Sequence, residues 1–235
     1  MKTIGIIGGM SWESSIEYYR IINEVTREKL GGLHSAKSVM VSVDFAPVEE
    51  MQKNVQWDEA TDVMVNTANQ VVSGGADFIV IATNTMHKMY ETVQRAVEIP
   101  ILHIADATAF RIKERKIHTI GLLGTKFTME MDFYKGRLAD KFNLNVIVPE
   151  KKDRITINQI IYQELVLGKI NHESRNKYIR VMENLVEKGV EGIILGCTEI
   201  SLLVGANDKS VPVFDTTYIH AETAVEIALG EKKIL

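Results

Sequence analysis

Six short apolar runs, rich in β-branched residues, punctuate the chain at 3–7, 38–43, 78–82, 117–123, 145–148 and 193–195. None alternates strictly with polar residues, which is the pattern of strands covered on both faces. Between them, apolar positions three and four residues apart predict helices over 17–29, 58–73, 129–142, 156–167 and 174–188. Strands alternating with helices of that length predict βαβ units and parallel sheets. The mixed-charge stretch 151–154, just after Pro149, reads as a solvated loop.

Laid against itself, the chain repeats. Thr3-Ile4-Gly5-Ile6-Ile7-Gly8 returns as Thr119-Ile120-Gly121-Leu122-Leu123-Gly124. The run from Gly75 to Thr83 returns as the run from Gly189 to Cys197, and Pro100-Ile101-Leu102 returns as Pro212-Val213-Phe214. Three matches in the same order, at slowly shortening spacing, point to an internal duplication. The expected fold is α/β with two pseudo-symmetric lobes, each a small parallel sheet flanked by helices. Residues 1–103 plus 212–235 are expected to form the first lobe and 104–211 the second. Open α/β sheets bind ligands at the carboxyl ends of their strands, so the active site is expected in the interlobe cleft.

Composition narrows the function classes. With 235 residues, 46% of them hydrophobic, the chain can build a sizeable core without staples. Its formal net charge of -4, with no run of five like charges, argues against nucleic acid and anionic membrane as partners. The single cysteine excludes an intramolecular disulfide and a multi-cysteine zinc site and fits a reducing, cytoplasmic setting. No apolar run approaches the roughly 18 residues that span a bilayer, and the stretch 4–10 is too short and glycine-rich for a signal segment.

The duplication pairs Thr83 with Cys197. Each follows an apolar strand and precedes an expected helix, Thr83-Asn84-Thr85 leading into 86–97 and Cys197-Thr198-Glu199 into a shorter one. Free backbone N–H groups and short polar side chains at a helix start suit a carboxylate or a phosphate. A thiol there is expected to favour its thiolate. Two such turns, one with a thiol, could work on the acidic carbon next to a carboxylate from opposite faces, as a racemase must. The plainer reading of Cys197 is an inert core thiol after a buried strand.

At these residues the sequence resembles the aspartate/glutamate racemase family, which acts without pyridoxal phosphate through two cysteines on opposite sides of the substrate Cα. The carrying motifs are Gly8-Gly9-Met10, Thr83-Asn84-Thr85-Met86-His87, Gly196-Cys197-Thr198-Glu199 and Pro212-Val213-Phe214-Asp215. Gly31-Gly32-Leu33-His34-Ser35, His103-Ile104-Ala105-Asp106 and Asp132-Phe133-Tyr134 extend the similarity over almost the whole chain. The resemblance implies Thr83 and Cys197 as the catalytic pair. It further implies Met10 and Gln52 as pocket residues, and Asn84, Thr85 and Thr198, with Thr83 and Cys197, as substrate-binding. No cofactor and no metal are implied, and the partners are a small amino-acid substrate and a second copy of the chain in a homodimer.

Three positions depart from the family pattern. Thr83 stands where the usual motif has cysteine, as in a Thr/Cys subgroup resembling an L-aspartate/glutamate-specific racemase. Glu49 and Val166 stand where aspartate racemases carry a basic Arg and Lys suited to a second carboxylate. A hydroxyl is a far poorer base than a thiolate near neutral pH, so a slow enzyme that favours L-substrates is expected, with Thr83 or a water it holds serving the second face. The alternatives are a broad-specificity racemase or another proton-transfer enzyme of the same superfamily, and, from a different class, a catalytically silent amino-acid-binding protein.

Other signals are weaker. Gly5-Ile6-Ile7-Gly8-Gly9 lacks dinucleotide-fingerprint spacing. The six histidines show no metal-ligand spacing, and His87 reads as a hydrogen bonder on its helix rather than a proton donor. His103 pairs with Asp215 in the repeat, either as an orienting residue or as a strand-end hydrogen bonder. Met86, Met89, Met129 and Met131 read as packing, and Trp12 either closes the cleft or packs between lobes.

Overall fold

The structure is a computed structural model that describes residues 1–205 and 211–234. Two compact units emerge, Met1–Ile104 with His220–Leu235, and Ala105–Ile219. Each holds one four-stranded, all-parallel sheet flanked by helices, the α/β duplication that the sequence predicts.

In the first unit β1 (Ile4–Gly8), β2 (Ser38–Ser42), β3 (Phe78–Ile81) and β4 (Ile101–Leu102) run in the order β2-β1-β3-β4. Successive residues of a strand face opposite sides of the sheet, so both faces must be covered. On one face Ile4, Ile6, Phe78 and Val80 pack against Tyr18, Ile22 and Val25 of α1 (Trp12–Leu30) and Ala221, Ala224 and Val225 of α10 (Thr216–Leu229). On the other, Ile7, Ile79 and Ile81 meet Met64, Ala68 and Val71 of α3 (Trp57–Ser73), with Val48 of α2 (Phe45–Lys53) and Val93 of α4 (Tyr90–Arg95).

The second unit repeats the order one duplication later. β5 (Thr119–Gly124), β6 (Asn145–Ile147), β7 (Gly192–Gly196) and β8 (Val213–Asp215) run β6-β5-β7-β8. Its core joins Leu123, Ile193 and Leu195 to Ile157, Ile160 and Ile161 of α8 (Lys151–Gln163) and Tyr178, Val181 and Leu185 of α9 (His172–Glu187). Helices α5 (Ile104–Glu114), α6 (Lys126–Glu130) and α7 (Asp132–Phe142) complete it, with Asp106 of α5 bound by Arg137 and Lys141 of α7.

The duplication extends to individual hydrogen bonds. Asp77 Oδ2 accepts from the Thr3 N–H at 2.6 Å, and Glu191 Oε2 accepts from the Thr119 N–H at 2.7 Å. The backbone bond from Asp77 N–H to the Thr3 carbonyl recurs from Glu191 to Thr119, and that from Ile79 to Pro100 recurs from Ile193 to Pro212, all at 2.9 Å. Bonds from the Thr119 and His118 N–H groups hold the Glu191 carboxyl below the usual range.

Several expectations are corrected. The chain does not return to the first unit at 212, because β8 pairs with β7; the return comes after Ile219, inside α10. The stretch 151–154 is not a loop but the first turn of α8, with Arg154 paired to Glu130. The helix expected over 86–97 is a 3₁₀ segment, Thr85–Met89, followed by the short α4. Met86, Met89 and Met129 are core residues, as expected, whereas Trp12 opens α1 with 62% of its surface exposed.

Candidate active site

The carboxyl ends of β1 and β3 carry the first group of expected residues. After β1 the chain turns sharply at Gly9, whose φ of +93° already disfavours a side chain and whose missing Cβ would land on the Val43 backbone. The Gly9 N–H donates to Ser15 Oγ at 2.7 Å, fixing the turn against the first turn of α1. Met10 then enters the apolar cluster that also contains Met86, Met89 and Val48. Gln52 of α2 is only 3% exposed, and its Nε2 donates to Met86 Sδ at 3.1 Å.

After β3, Thr83, Asn84 and Thr85 are all buried. The Thr83 N–H donates to the Ile81 carbonyl at 2.8 Å, a tight turn that throws the residue off the strand. His87 Nδ1 lies 2.8 Å from the Thr83 carbonyl. Met10, Gln52, Thr83, Asn84 and Thr85 thus belong to the first unit.

Cys197 and Thr198 belong to the second, at the carboxyl end of β7. Gly196 lets β7 approach β5 here, since a Cβ would stand 2.7 Å from the Leu123 carbonyl oxygen. The Cys197 thiol donates to Glu199 Oε2 at 3.0 Å, and Thr198 Oγ1 donates to the same oxygen at 2.7 Å. Glu199, two residues from the cysteine, is not among the site residues expected from the sequence. The end of β8 is braced to β7, with Thr216 Oγ1 donating to the Leu195 carbonyl at 2.8 Å. Asp215 Oδ1 accepts the N–H groups of Thr217 and Tyr218, so it caps α10 in the strand-end role open to it from sequence.

The expected thiolate is corrected. Burial pushes the Cys197 thiol well above its ordinary range and the Glu199 carboxylate pushes it further, against the opposing pull of the Glu199 and Thr198 backbone N–H groups. The segment that follows is a three-residue 3₁₀ turn, Ile200–Leu202, which offers little of the dipole of a full helix start. What the site holds instead is a thiol with its proton aimed at a carboxylate. Tyr178 lies fully buried in the same core cluster, its hydroxyl pushed well above its ordinary value by burial and then by Cys197, Glu199 and Glu164.

The profile of the Asp/Glu/Hydantoin racemase family matches residues 7–224. The chain belongs to that family. Among solved structures it is similar to an Asp/Glu racemase assigned in Yersinia pestis, 53% identical over 97% of this chain and 100% of that one, with a TM-score of 0.91. It is also similar to an aspartate racemase homologue from Pyrococcus horikoshii OT3, 36% identical over 97% of this chain and 100% of the other, with a TM-score of 0.85. A relative by sequence is the broad specificity amino-acid racemase RacX of Bacillus subtilis (strain 168), 22% identical over 97% of this chain and 98% of that protein. The family is one of racemases, the reaction class expected from the sequence.

Among the described residues, no group of three His, Cys, Asp or Glu side chains is placed to hold a metal ion, and no helix is long and apolar enough to cross a membrane. The departures from the family pattern stand in ordinary settings. Glu49 of α2 pairs with Lys53 one turn on, and Val166 lies in the 3₁₀ segment Leu165–Leu167 that follows α8.

Proposed function

We propose that the protein racemises aspartate or glutamate at Cα without a cofactor, with Cys197 and Glu199 serving one face of the substrate and Thr83 the other. The observation that carries this is the hydrogen bond from the Cys197 thiol to Glu199 at the end of β7, the equivalent in the duplication of the strand end that presents Thr83 and Thr85.

The chemistry follows from proton positions. The Cys197 proton passes to Glu199, and the resulting thiolate takes the α-proton of an L-substrate. An α-ammonium brought beside the thiolate and Glu199 offsets the burial that keeps the free thiol protonated. Backbone N–H groups and short side chains at Asn84, Thr85 and Thr198, together with Met10 and Gln52, hold the carboxylate and the rest of the substrate. The carbanion is then protonated from the opposite face by the Thr83 hydroxyl or a water it holds, which gives the D-product, and solvent restores that proton. In reverse, the Thr83 side must remove an α-proton, and no carboxylate occupies the position equivalent to Glu199, which is Thr85. Hence the enzyme is slow and faster with L-substrates.

Broad specificity is the second reading, favoured by the near full-length match to RacX and by the lack of a basic residue at Glu49 and Val166. A cytoplasmic homodimer belongs to the same proposal, and sedimentation velocity tests its dimeric part. The deciding experiment follows Cα–H loss by proton NMR in heavy water, with chiral analysis, for L- and D-aspartate and L- and D-glutamate. Exchange on L-substrates that vanishes in Cys197→Ala and yields D-product supports the proposal. Binding of an acidic amino acid without exchange leaves a silent binding protein.

A further inference from the structure

We propose that His87, locked in its neutral Nδ1–H tautomer, is the positioning residue that aims Thr83 at the substrate. This rests on the catalytic reading of Thr83 and assigns the device that makes the hydroxyl usable.

The tautomer follows from the two partners. Nε2 receives the backbone N–H of Ile104 at 3.2 Å, and a backbone N–H can only donate, so Nε2 carries a lone pair. Nδ1 faces the Thr83 carbonyl at 2.8 Å, and a carbonyl can only accept, so Nδ1 carries the proton. The neutral ring with its proton on Nδ1 satisfies both bonds, whereas imidazolium or the other tautomer breaks the bond to Ile104. Packing holds the plane of the ring. His103 lies 4.6 Å away between centroids and His220 5.9 Å away, while Tyr90 braces His103 at 4.7 Å.

The local helix type explains why the ring is used. The His87 N–H bonds three residues back to Asn84, in 3₁₀ fashion, not four back to Thr83. The ring of the same residue takes the Thr83 carbonyl instead. With the Thr83 N–H given to Ile81 and its carbonyl held by His87, the peptide on each side of Thr83 is fixed, and with it the direction of the Cα–Cβ bond. A weak acid–base group depends most on placement, because it has little driving force to spare.

The duplication repeats the brace by other means. Ile104 and Thr216 are equivalent, each second after the matched strands Ile101–Leu102 and Val213–Phe214. In the second unit Thr216 ties directly to the Leu195 carbonyl, two residues before Cys197. In the first, Ile104 ties to the Thr83 turn through the His87 ring. Both units fasten a residue just beyond their fourth strand to the strand end that carries the reacting group.

The test compares His87→Phe, which keeps a ring against His103, with His87→Asn. An asparagine reaches the carbonyl four residues back elsewhere in this chain, from Asn23 to Tyr19 at 2.8 Å and from Asn69 to Val65 at 2.9 Å. In heavy water, His87→Phe is expected to lower D-product formation from L-substrate about tenfold or more, through kcat and not KM, while Cα exchange by Cys197 stays within about twofold. His87→Asn is expected to recover at least half of the lost rate. Long-range ¹H–¹⁵N spectra of the wild type are expected to show a protonated Nδ1 and a bare Nε2. Unchanged racemisation in His87→Phe, equal loss of exchange and racemisation in a folded His87→Phe, or a protonated Nε2 overturns the proposal. A wild type without exchange on any substrate overturns the catalytic reading of Thr83 and this role with it, whereas a failure confined to His87→Phe leaves the racemase reading standing.

Discussion

The hydroxyl of Tyr18 donates to Nδ1 of His220 across 2.8 Å, while Nε2–H of the same ring donates to the Leu102 carbonyl at 3.0 Å. The first long helix of the chain is thereby tied to the last through a neutral imidazole. Burial lowers the His220 pKa to about 3 against the opposing pull of the Leu102 carbonyl. The unfolded chain binds a proton at this residue near pH 6.5 that the folded protein refuses. Its contribution is therefore fully present above pH 6.5 and is lost as pH falls from there toward 3. Urea unfolding of the wild type and His220→Gln across this range is expected to show the stability difference shrinking by on the order of 1 kcal/mol per pH unit. A constant difference contradicts a buried neutral ring.

Removing the charge of Glu199 separates its two effects on Cys197. Glu199→Gln is expected to lower the thiol pKa, because the carboxylate is one cause of its elevation. It is also expected to slow Cα exchange about tenfold or more, because the amide cannot take the proton. Thiolate absorbance in the ultraviolet, clean in a protein with a single cysteine, reads the first effect and heavy-water NMR the second.

The asymmetry between the two faces should yield to chemistry. Thr83→Cys supplies a thiol where the hydroxyl is weakest, so the D-to-L rate is expected to rise by about tenfold or more and the ratio for the two enantiomers to move toward one. Chiral chromatography of progress curves from both enantiomers checks this. A variant that still favours L-substrates to the same degree places the asymmetry in binding.

Gly9→Ala probes the turn beneath Met10. A Cβ at Gly9 collides with the Val43 backbone at a φ that L-residues rarely adopt. The expected loss is about 2 kcal/mol or more in urea unfolding. Gly75→Ala, also at positive φ but with open space around the added carbon, is expected to lose less.

The sheets were legible because their strands are short, apolar and repeated, and pairing Thr3 with Thr119 and Thr83 with Cys197 already placed those two side chains on equivalent strand ends. Three features were not. Helix α10 is apolar nearly all round, so it carries no period of 3.6 to read, and the later crossing at His220 was hidden with it. The 3₁₀ geometry after Thr83 is a matter of which carbonyl an N–H chooses, which composition does not encode. The state of Cys197 depends on Glu199 and on burial by α8 and α9, contacts that a motif of four residues cannot show.

The first unit is closed by residues from the far end of the chain. Ala221, Ala224 and Val225 of α10 pack on Ile4, Ile6 and Tyr18, and the Lys2 N–H donates to the Ala228 carbonyl at 2.8 Å. During synthesis the Thr83 turn is thus made early but rests on an incomplete core until residues 221–228 have been added. A stop codon just before α10 leaves Thr83, Cys197 and Glu199 encoded, yet the damage falls on the unit whose strands the ribosome made first.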